Sequence, residues 1–388
     1  MERFDFETLA DEDFFRKFLE WPSKPLSFSG AHMKFKNAPC VIKGLEECAR
    51  RGSYPYTMCD QRYTDAVIRW MKLVRGWNIE PEWIVPTYGT TFSVNTALRA
   101  FTDKGDKLIV QRPIYFKYER AAKRNEREIL NSPMIYKNGE YHIDYEDLER
   151  CMSDERAKLM VICNPHNPTA RIWSREEQRR TAVLAEKYGV TVFSDEIFAE
   201  TVYGGREMHA YVSLAEGAAT GMSCTGIGKA FSFTGINNAN MIIPDKRLRE
   251  IFIRQRDADH YGSADPFAYA AVVSAYEGGE SWVAAVKKVF EQNIAFIKEF
   301  FARHMPQVHV VEPQGSWVIW IDFSGLGLPH EELFDFMKNE GRLVLEPGTD
   351  FGPEGECFAR MCVGSPTKEI ERAFGFFLEA ARKRGLAK

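Results

Sequence analysis

The chain has 388 residues, of which 45% are apolar and 27% charged, and its 51 basic and 55 acidic side chains give a formal net charge of −4. This is the composition of an ordinary globular protein, and such balanced charge gives no support for nucleic-acid binding. The length exceeds that of one usual hydrophobic core, so we expect two domains.

The sequence carries no sign of a secreted or membrane protein. It opens with alternating acids and aromatics, MERFDFETLADEDFF, which is not the pattern of a signal peptide, and no segment is apolar for long enough to cross a bilayer. The eight cysteines are scattered without a CxxC pair or a nearby histidine group, which argues against a metal site and a disulfide framework. We therefore expect a cytoplasmic protein with no metal and no membrane partner.

The middle of the chain alternates short apolar runs with amphipathic stretches. Four runs are predicted to be buried strands: KLIVQ near Leu108, LMVIC near Val161, VTVFSD near Phe193 and ANMIIP near Ile242. Between the second and third, Ser174 with Glu177 three residues on predicts a helix start, and Gly189 predicts its end. Repeated units of this kind predict a mostly parallel sheet covered by helices, with functional residues just after the strands.

After about Asp265 the pattern changes to that of an α+β unit. Helices are predicted at 266–276, 281–303, 330–339 and from Thr367, and strands at VHVVEP, SWVIWIDF and RLVLEP. We predict a large domain at 45–275 and a small domain made of 1–44 together with 276–388.

Four motifs lie where predicted strands end: Tyr88-Gly89-Thr90-Thr91, CNPHNP around Asn167, Ser194-Asp195-Glu196 and Gly226-Ile227-Gly228-Lys229. Each is weak alone, since a surface lysine, an aspartate N-cap, a threonine-capped helix and a proline turn would look the same. Adjacent strand residues point to opposite faces, so we reject Asp195 and Glu196 as a carboxylate pair.

Together the motifs resemble the fold-type I pyridoxal-phosphate enzymes over nearly the whole chain. Asn167, Asp195 and Lys229 follow at intervals of 28 and 34 residues. The wording is most similar to the cystathionine β-lyase, or C–S lyase, branch of class I/II aminotransferase-like proteins, as in SYPYT, GDKLIVQRPIY, CNPHNP, SDEI, KAFSFTG and EPGTDFG. The resemblance implies an aspartate-aminotransferase-like fold, with a three-layer α/β large domain, a smaller α+β domain, pyridoxal 5'-phosphate as cofactor, and a homodimer with active sites at the subunit interface.

The residues supply the chemistry that such a cofactor needs. Lys229 lies in an uncharged, Gly-rich stretch, where its amine can be desolvated, hold the cofactor as a Schiff base and shuttle the substrate α-proton. A buried Asp195 would pair with the pyridine nitrogen. Gly89, Thr90 and Thr91 offer backbone amides, hydroxyls and a helix N-terminus to the phosphate.

Further roles come from the resemblance. It implies that Asn167 contacts the phenolic oxygen and the substrate, that Tyr115 stacks on the ring, and that Arg360 binds the substrate carboxylate. Tyr56 resembles the tyrosine that reaches the phosphate of the neighbouring subunit.

The sequence departs from the family pattern in three places, two of which concern the cofactor. Gly226, Gly228 and Asn237 stand where class I aminotransferases carry two serines and an arginine, and Thr225 or Ser223 could substitute for them at the phosphate. Phe198 replaces a hydrogen-bonding tyrosine or histidine.

The segment SGAHMKF carries His32 and Lys34 where the lyase branch usually has two aspartates. His32 could contact the substrate or be a surface histidine, and we favour the surface interpretation because nothing in the sequence fixes its partner.

The leading functional hypothesis is β-elimination on a sulfur amino acid such as cystathionine, with Lys229 as the proton acceptor. Transamination of an amino acid is the alternative, since both reactions share the first proton abstraction. A non-catalytic scaffold with the same fold is a remote alternative.

Overall fold

The computed structural model describes residues 4–11, 14 and 26–388. The helices in this part of the chain are α1 (Pro39–Arg50), α2 (Gln61–Arg75), α3 (Thr90–Phe101), α4 (Lys117–Arg124), α5 (Tyr145–Met152), α6 (Arg175–Tyr188), α7 (Ala215–Thr220), α8 (Ile227–Ala230), α9 (Lys246–Ala258), α10 (Pro266–Gly278), α11 (Glu280–His304), α12 (His330–Asp335) and α13 (Thr367–Lys383). The strands are β1 (Leu26–Ser27), β2 (Ile84–Thr87), β3 (Lys107–Val110), β4 (Glu128–Asn131), β5 (Ile135–Lys137), β6 (Glu140–His142), β7 (Ala157–Cys163), β8 (Thr191–Asp195), β9 (Gly221–Thr225), β10 (Ala239–Ile242), β11 (His309–Val310), β12 (Val318–Asp322), β13 (Leu343–Val344), β14 (Glu346–Pro347) and β15 (Phe358–Cys362).

A central sheet runs in the order β2-β10-β9-β8-β7-β3-β4. Its neighbours from β9 to β4 pair in parallel, while β10 is antiparallel to both β9 and β2. All five residues of β9, and most of those of β3, β7 and β8, are buried, as expected for strands covered by helices on both faces. The predicted α/β fold with a mostly parallel sheet is confirmed.

The four strands predicted from apolar runs are β3, β7, β8 and β10. The predicted helix between β7 and β8 is α6, which starts at a capping box in which the Ser174 hydroxyl accepts from the Glu177 N–H and the Glu177 carboxylate accepts from the Ser174 N–H. It ends at Gly189, whose φ of 68° is the left-handed conformation that glycine adopts at low cost. Local sequence therefore specifies this strand-helix-strand unit.

A second sheet, β11-β12-β15-β14, lies later in the chain and is antiparallel. The long predicted helices there are α10, α11 and α13, but the run VHVVEP contributes only the two residues of β11. The run RLVLEP divides, because Leu343–Val344 pairs with β1 while Glu346–Pro347 pairs with β15. No feature of the sequence predicts that the two halves of this run pair with different strands. The predicted division at 45–275 agrees with this separation of the sheets and stays a prediction.

No helix in the described residues is long and apolar enough to cross a membrane. The same residues contain no group of three or more His, Cys, Asp and Glu side chains that could hold a metal ion.

A buried cluster of charges lies next to the end of β8. Glu196 turns away from Asp195, and its carboxylate accepts from Ser194, Ser223 and the Tyr211 N–H. Arg75 donates to Glu196 at 3.3 Å and to Glu200 at 2.9 Å, and the side chains of all three are at most 4% exposed. Buried carboxylates need such a cation, since an unpaired buried charge is costly.

We predict that Arg75→Met strongly destabilises the protein, by about 3–5 kcal/mol, because Glu196 and Glu200 lose their cation. Urea unfolding followed by circular dichroism measures the effect as a lower midpoint. The matched control is Arg179→Met, which removes an exposed pairing with Glu176 whose loss costs at most about 1 kcal/mol. Equal midpoints for the two variants would contradict the assignment.

Candidate active site

The carboxyl ends of the central strands open into a cavity of about 500 Å³. Strand β7 ends at Cys163, β8 ends at Asp195, and β9 leads into the short helix α8 that carries Lys229. The wall is completed by residues of β14, β15 and the segment around Gly30. The cavity therefore lies where a parallel sheet is expected to bind its ligand.

Lys229 is partly buried at the centre of this cavity. Its Nζ donates to the carbonyl oxygen of Ala31 at 2.5 Å and lies 5.7 Å and 5.6 Å from the ring centroids of Phe198 and Trp317. Burial, the largest cause, and the charge of Arg360 lower the pKa of Lys229 to about 8, although Cys362 and Asp195 oppose the shift. A neutral, nucleophilic amine is thus available at mildly alkaline pH.

Asp195 is the buried carboxylate of the site, at 3% exposure. The Tyr118 hydroxyl donates to Oδ2 at 2.5 Å, and the Ile197 N–H donates to Oδ1 at 3.1 Å. Burial raises the pKa of Asp195, while these two hydrogen bonds and the charge of Lys229 lower it. A cationic group of a ligand beside Asp195 would stabilise the ionised form further.

One end of the cavity suits an anion. Helix α3 begins at Thr90, and the first N–H groups of a helix have no partner within it. Gly89 precedes the helix with a φ of 98°, a conformation that strains other residues, and a Cβ at Gly89 would lie 3.8 Å from the backbone nitrogen of Asn238. Backbone donors, a hydroxyl and the positive helix end meet here with the side chains of Asn237 and Asn238.

Arg360 lies in the wall at 2% exposure. Its Nη1 donates to Asn167 Oδ1 at 3.1 Å, and its Nη2 donates to Glu346 Oε2 at 3.3 Å. The guanidinium lies 4.9 Å from the ring centroid of Phe351, and its Nε has no hydrogen-bond partner among the described residues. A further acceptor brought by a ligand would satisfy this nitrogen.

Most of the predicted site residues line this one cavity: Gly89, Thr90, Thr91, Tyr115, Asn167, Asp195, Lys229 and Arg360. Thr225 does not line it, and its hydroxyl donates to the Asn240 carbonyl within the sheet at 3.3 Å. This geometry gives no support to Thr225 as a phosphate ligand. Tyr56 also lies outside the cavity and is 94% exposed.

The surface interpretation of His32 is wrong, because this side chain lines the cavity. Burial, the largest cause, and the charges of Lys34 and Lys229 lower the pKa of His32 to about 4, so the imidazole is neutral at physiological pH. Lys34 is itself buried, at 1% exposure, with its amine donating to Ser365.

Sequence reasoning missed three residues that contact the predicted ones: Tyr118, Trp317 and Glu346. Tyr118 follows Tyr115 by three residues, a spacing that places both on one side of a helical turn, so it could have been found. Trp317 directly precedes β12 and Glu346 lies on β14, and no sequence signal connects them with Lys229 or Arg360.

The geometry fits the cofactor predicted from the sequence. An amine with a lowered pKa, a buried carboxylate, an aromatic ring at Tyr115 and an anion-binding helix start surround one cavity. They match the aldehyde, ring nitrogen, ring face and phosphate of pyridoxal phosphate.

The chain is similar to known proteins along most of its length. Residues 26–377 match the family described as aminotransferase class I and II. Cystathionine β-lyase PatB of Bacillus subtilis is 36% identical over 335 residues, which cover 86% of this chain and 87% of that protein. The crystal structure of cystalysin from Treponema denticola, which contains a pyridoxal 5'-phosphate cofactor, has a TM-score of 0.93 at 28% identity and covers 99% of this chain and 100% of its own. A PLP-bound putative aminotransferase from Clostridium difficile 630 has a TM-score of 0.92 at 27% identity, with 97% and 100% covered.

We predict that acetylation of Lys229 in the cofactor-free protein rises with pH to a half-maximum near pH 8, because burial lowers its pKa to about 8. A lysine in a short reference peptide has a pKa of ~10.4. Peptide mass spectrometry after brief exposure to acetic anhydride measures the profile. Arg360→Gln should move the Lys229 midpoint upward, since it removes a cation that disfavours the protonated amine. A Lys229 profile that coincides with the reference peptide would contradict the prediction.

Proposed function

Because the chain belongs to the class I and II aminotransferase family, we propose that it is a pyridoxal-phosphate-dependent C–S β-lyase acting on a sulfur amino acid such as cystathionine. The observation that carries the proposal is the position of Lys229, whose amine has a pKa lowered to about 8 and shares one cavity with Asp195 and Arg360. The similarity to PatB supports the lyase reaction.

Pyridoxal phosphate, when bound, supplies an aldehyde that holds the substrate amine and a ring that accepts the electrons released at Cα. Lys229 would hold the cofactor covalently and, after exchange with the substrate amine, take the α-proton on Nζ. Sulfur would then leave Cβ as a thiolate, and a Cα–Cβ double bond would form in its place. Lys229 would displace the remaining unsaturated amino acid, which would take up one water to give pyruvate and ammonia.

The other residues of the chain orient these groups. Asp195 would hold the proton on the ring nitrogen, and Tyr118 fixes the carboxylate by donating to Oδ2. Tyr115 would stack on the ring, and Gly89, Thr90 and Thr91 would hold the phosphate through the start of α3. Arg360 would bind the substrate carboxylate, with Asn167 beside it.

A second candidate is transamination of an amino acid, because a PLP-bound putative aminotransferase is among the similar structures. Both reactions begin when Lys229 takes the α-proton. In transamination Lys229 would deliver this proton to the cofactor. In β-elimination sulfur would leave from Cβ instead.

The partner and the location are parts of the same proposal. A homodimer is supported by the exposed segment of Tyr54, Tyr56 and Met58, which are 50%, 94% and 70% exposed. Large side chains exposed together are typical of an interaction surface. A cytoplasmic location is supported by seven cysteines that form no disulfide, namely Cys48, Cys59, Cys151, Cys163, Cys224, Cys357 and Cys362.

We predict that the purified protein with bound cofactor absorbs near the edge of the visible range and releases pyruvate from cystathionine without an amino acceptor. Lys229→Ala should remove this absorbance band and lower the rate by roughly 10²- to 10⁴-fold or more, since the proton acceptor is lost. Lys246→Ala, which changes an exposed lysine outside the cavity, is the control. A colourless wild-type protein would contradict the cofactor assignment. Formation of glutamate only with 2-oxoglutarate would favour the aminotransferase reaction.

We predict that Tyr56→Phe weakens cofactor binding by about tenfold, because the hydroxyl that would reach the phosphate of the other subunit is lost. Equilibrium dialysis of the cofactor measures this, and light scattering checks that the variant is still a dimer. Tyr54→Phe is the matched control, because its hydroxyl donates to the Ala49 carbonyl of its own chain. A monomeric wild-type protein, or equal cofactor affinity in both variants, would contradict the role of Tyr56.

A further inference from the structure

The carboxylate of Glu346 accepts two hydrogen bonds at the cavity wall. Its Oε2 accepts from the Gly30 N–H at 2.7 Å and from Arg360 Nη2 at 3.3 Å. The side chain is 19% exposed and lines the cavity. The carboxylate of Glu346 is therefore already hydrogen-bonded to Arg360, the residue that would bind the substrate carboxylate.

The fold fixes this contact from both sides. Glu346 on β14 is the direct cross-strand partner of Arg360 on β15, so the two side chains share one face of the sheet. Gly30 has a φ of +76°, which turns its N–H toward Glu346 while the next carbonyl, that of Ala31, accepts from Lys229. The donors around Glu346 thus belong to the same wall as the catalytic amine.

A backbone N–H and a guanidinium are also the donors that suit the carboxylate of an amino acid. We propose that Glu346 occupies the substrate-carboxylate subsite as a tethered competitor, and that the incoming carboxylate exchanges with it on Arg360. This inference rests on the proposed function, in which Arg360 binds the substrate. Glu346 then sets how tightly the site holds any carboxylate.

The exchange has a physical reason. Arg360 is 2% exposed, and a buried guanidinium without an anion is costly. Glu346 keeps this charge paired between turnovers, and the substrate takes over the pairing when it binds. Glu346 is not needed to orient the arginine, since Asn167 accepts from Nη1 and the ring of Phe351 lies beneath the guanidinium. If Glu346 oriented Arg360, it would raise the affinity of the site for a substrate carboxylate. As a competitor, Glu346 lowers that affinity.

The test uses the holoenzyme and 3-(methylthio)propionate, a sulfur-containing monocarboxylate without an amine, so that it binds without reacting. Calorimetry should show about tenfold tighter binding to Glu346→Gln than to wild type, because the neutral amide no longer holds the arginine in its paired state. Asp350→Asn is the matched control. It removes one negative charge from an exposed side chain in the turn that follows β14, and the side-chain hydrogen bonds of Arg360 go to Asn167 and Glu346 rather than to Asp350. Its affinity should stay within about twofold of wild type.

Arg360→Gln separates this inference from the proposed function. It should weaken binding of the probe, and adding Glu346→Gln to it should give no further gain. Unchanged or weaker binding in Glu346→Gln, or an equal gain in Asp350→Asn, overturns the competitor while the loss in Arg360→Gln leaves the role of Arg360 standing. Unchanged binding in Arg360→Gln overturns both, and the colour of the holoenzyme still reports on Lys229 independently.

Discussion

Three charged side chains that line one cavity constrain the structure around them. Lys229, Asp195 and Arg360 come from distant parts of the chain, and each needs a partner when it leaves water. The protein supplies one to each: the Ala31 carbonyl to Lys229, the Tyr118 hydroxyl to Asp195, and Glu346 to Arg360. These hydrogen bonds stabilise the three side chains in the cavity wall. A ligand that carries an anionic group, a cationic group and a carboxylate would replace or extend these contacts.

The parallel sheet explains why so many functional residues meet. Strands β7, β8 and β9 are neighbours and end at the same edge, as the pairing of Cys163 with Asp195 and of Asp195 with Cys224 shows. Residues just beyond those ends are therefore close in space although far apart in sequence. The same arrangement separates Asp195 from Glu196, because one faces the cavity and the other joins the buried cluster with Arg75.

The sequence was sufficient for the features that depend on local pattern and spacing. Helix α6, with its capping box and terminal glycine, and the buried strands could be predicted because their signals lie within a few residues. Lys229, Asp195, Asn167 and Arg360, which the resemblance assigns to one site, all line the same cavity. It could not find Glu346, because its contact depends on the register of β14 against β15, nor place His32 in the cavity, because the path of the segment after β1 is set by tertiary contacts. Thr225 was nominated by proximity to Lys229 in sequence, but its hydroxyl is directed into the sheet.

Asn167 connects the two halves of the site under the proposed function. Its Oδ1 accepts from Arg360 Nη1, which fixes the amide so that Nδ2 is directed away from the guanidinium. Phe198 carries no polar side-chain atom and is buried beside Lys229, so it cannot donate to the phenolic oxygen of the cofactor. Under the proposed function, the Asn167 amide nitrogen would be the donor to that oxygen. Under the proposed function, a substrate carboxylate that pairs with Arg360 would therefore lie one hydrogen bond away from Asn167.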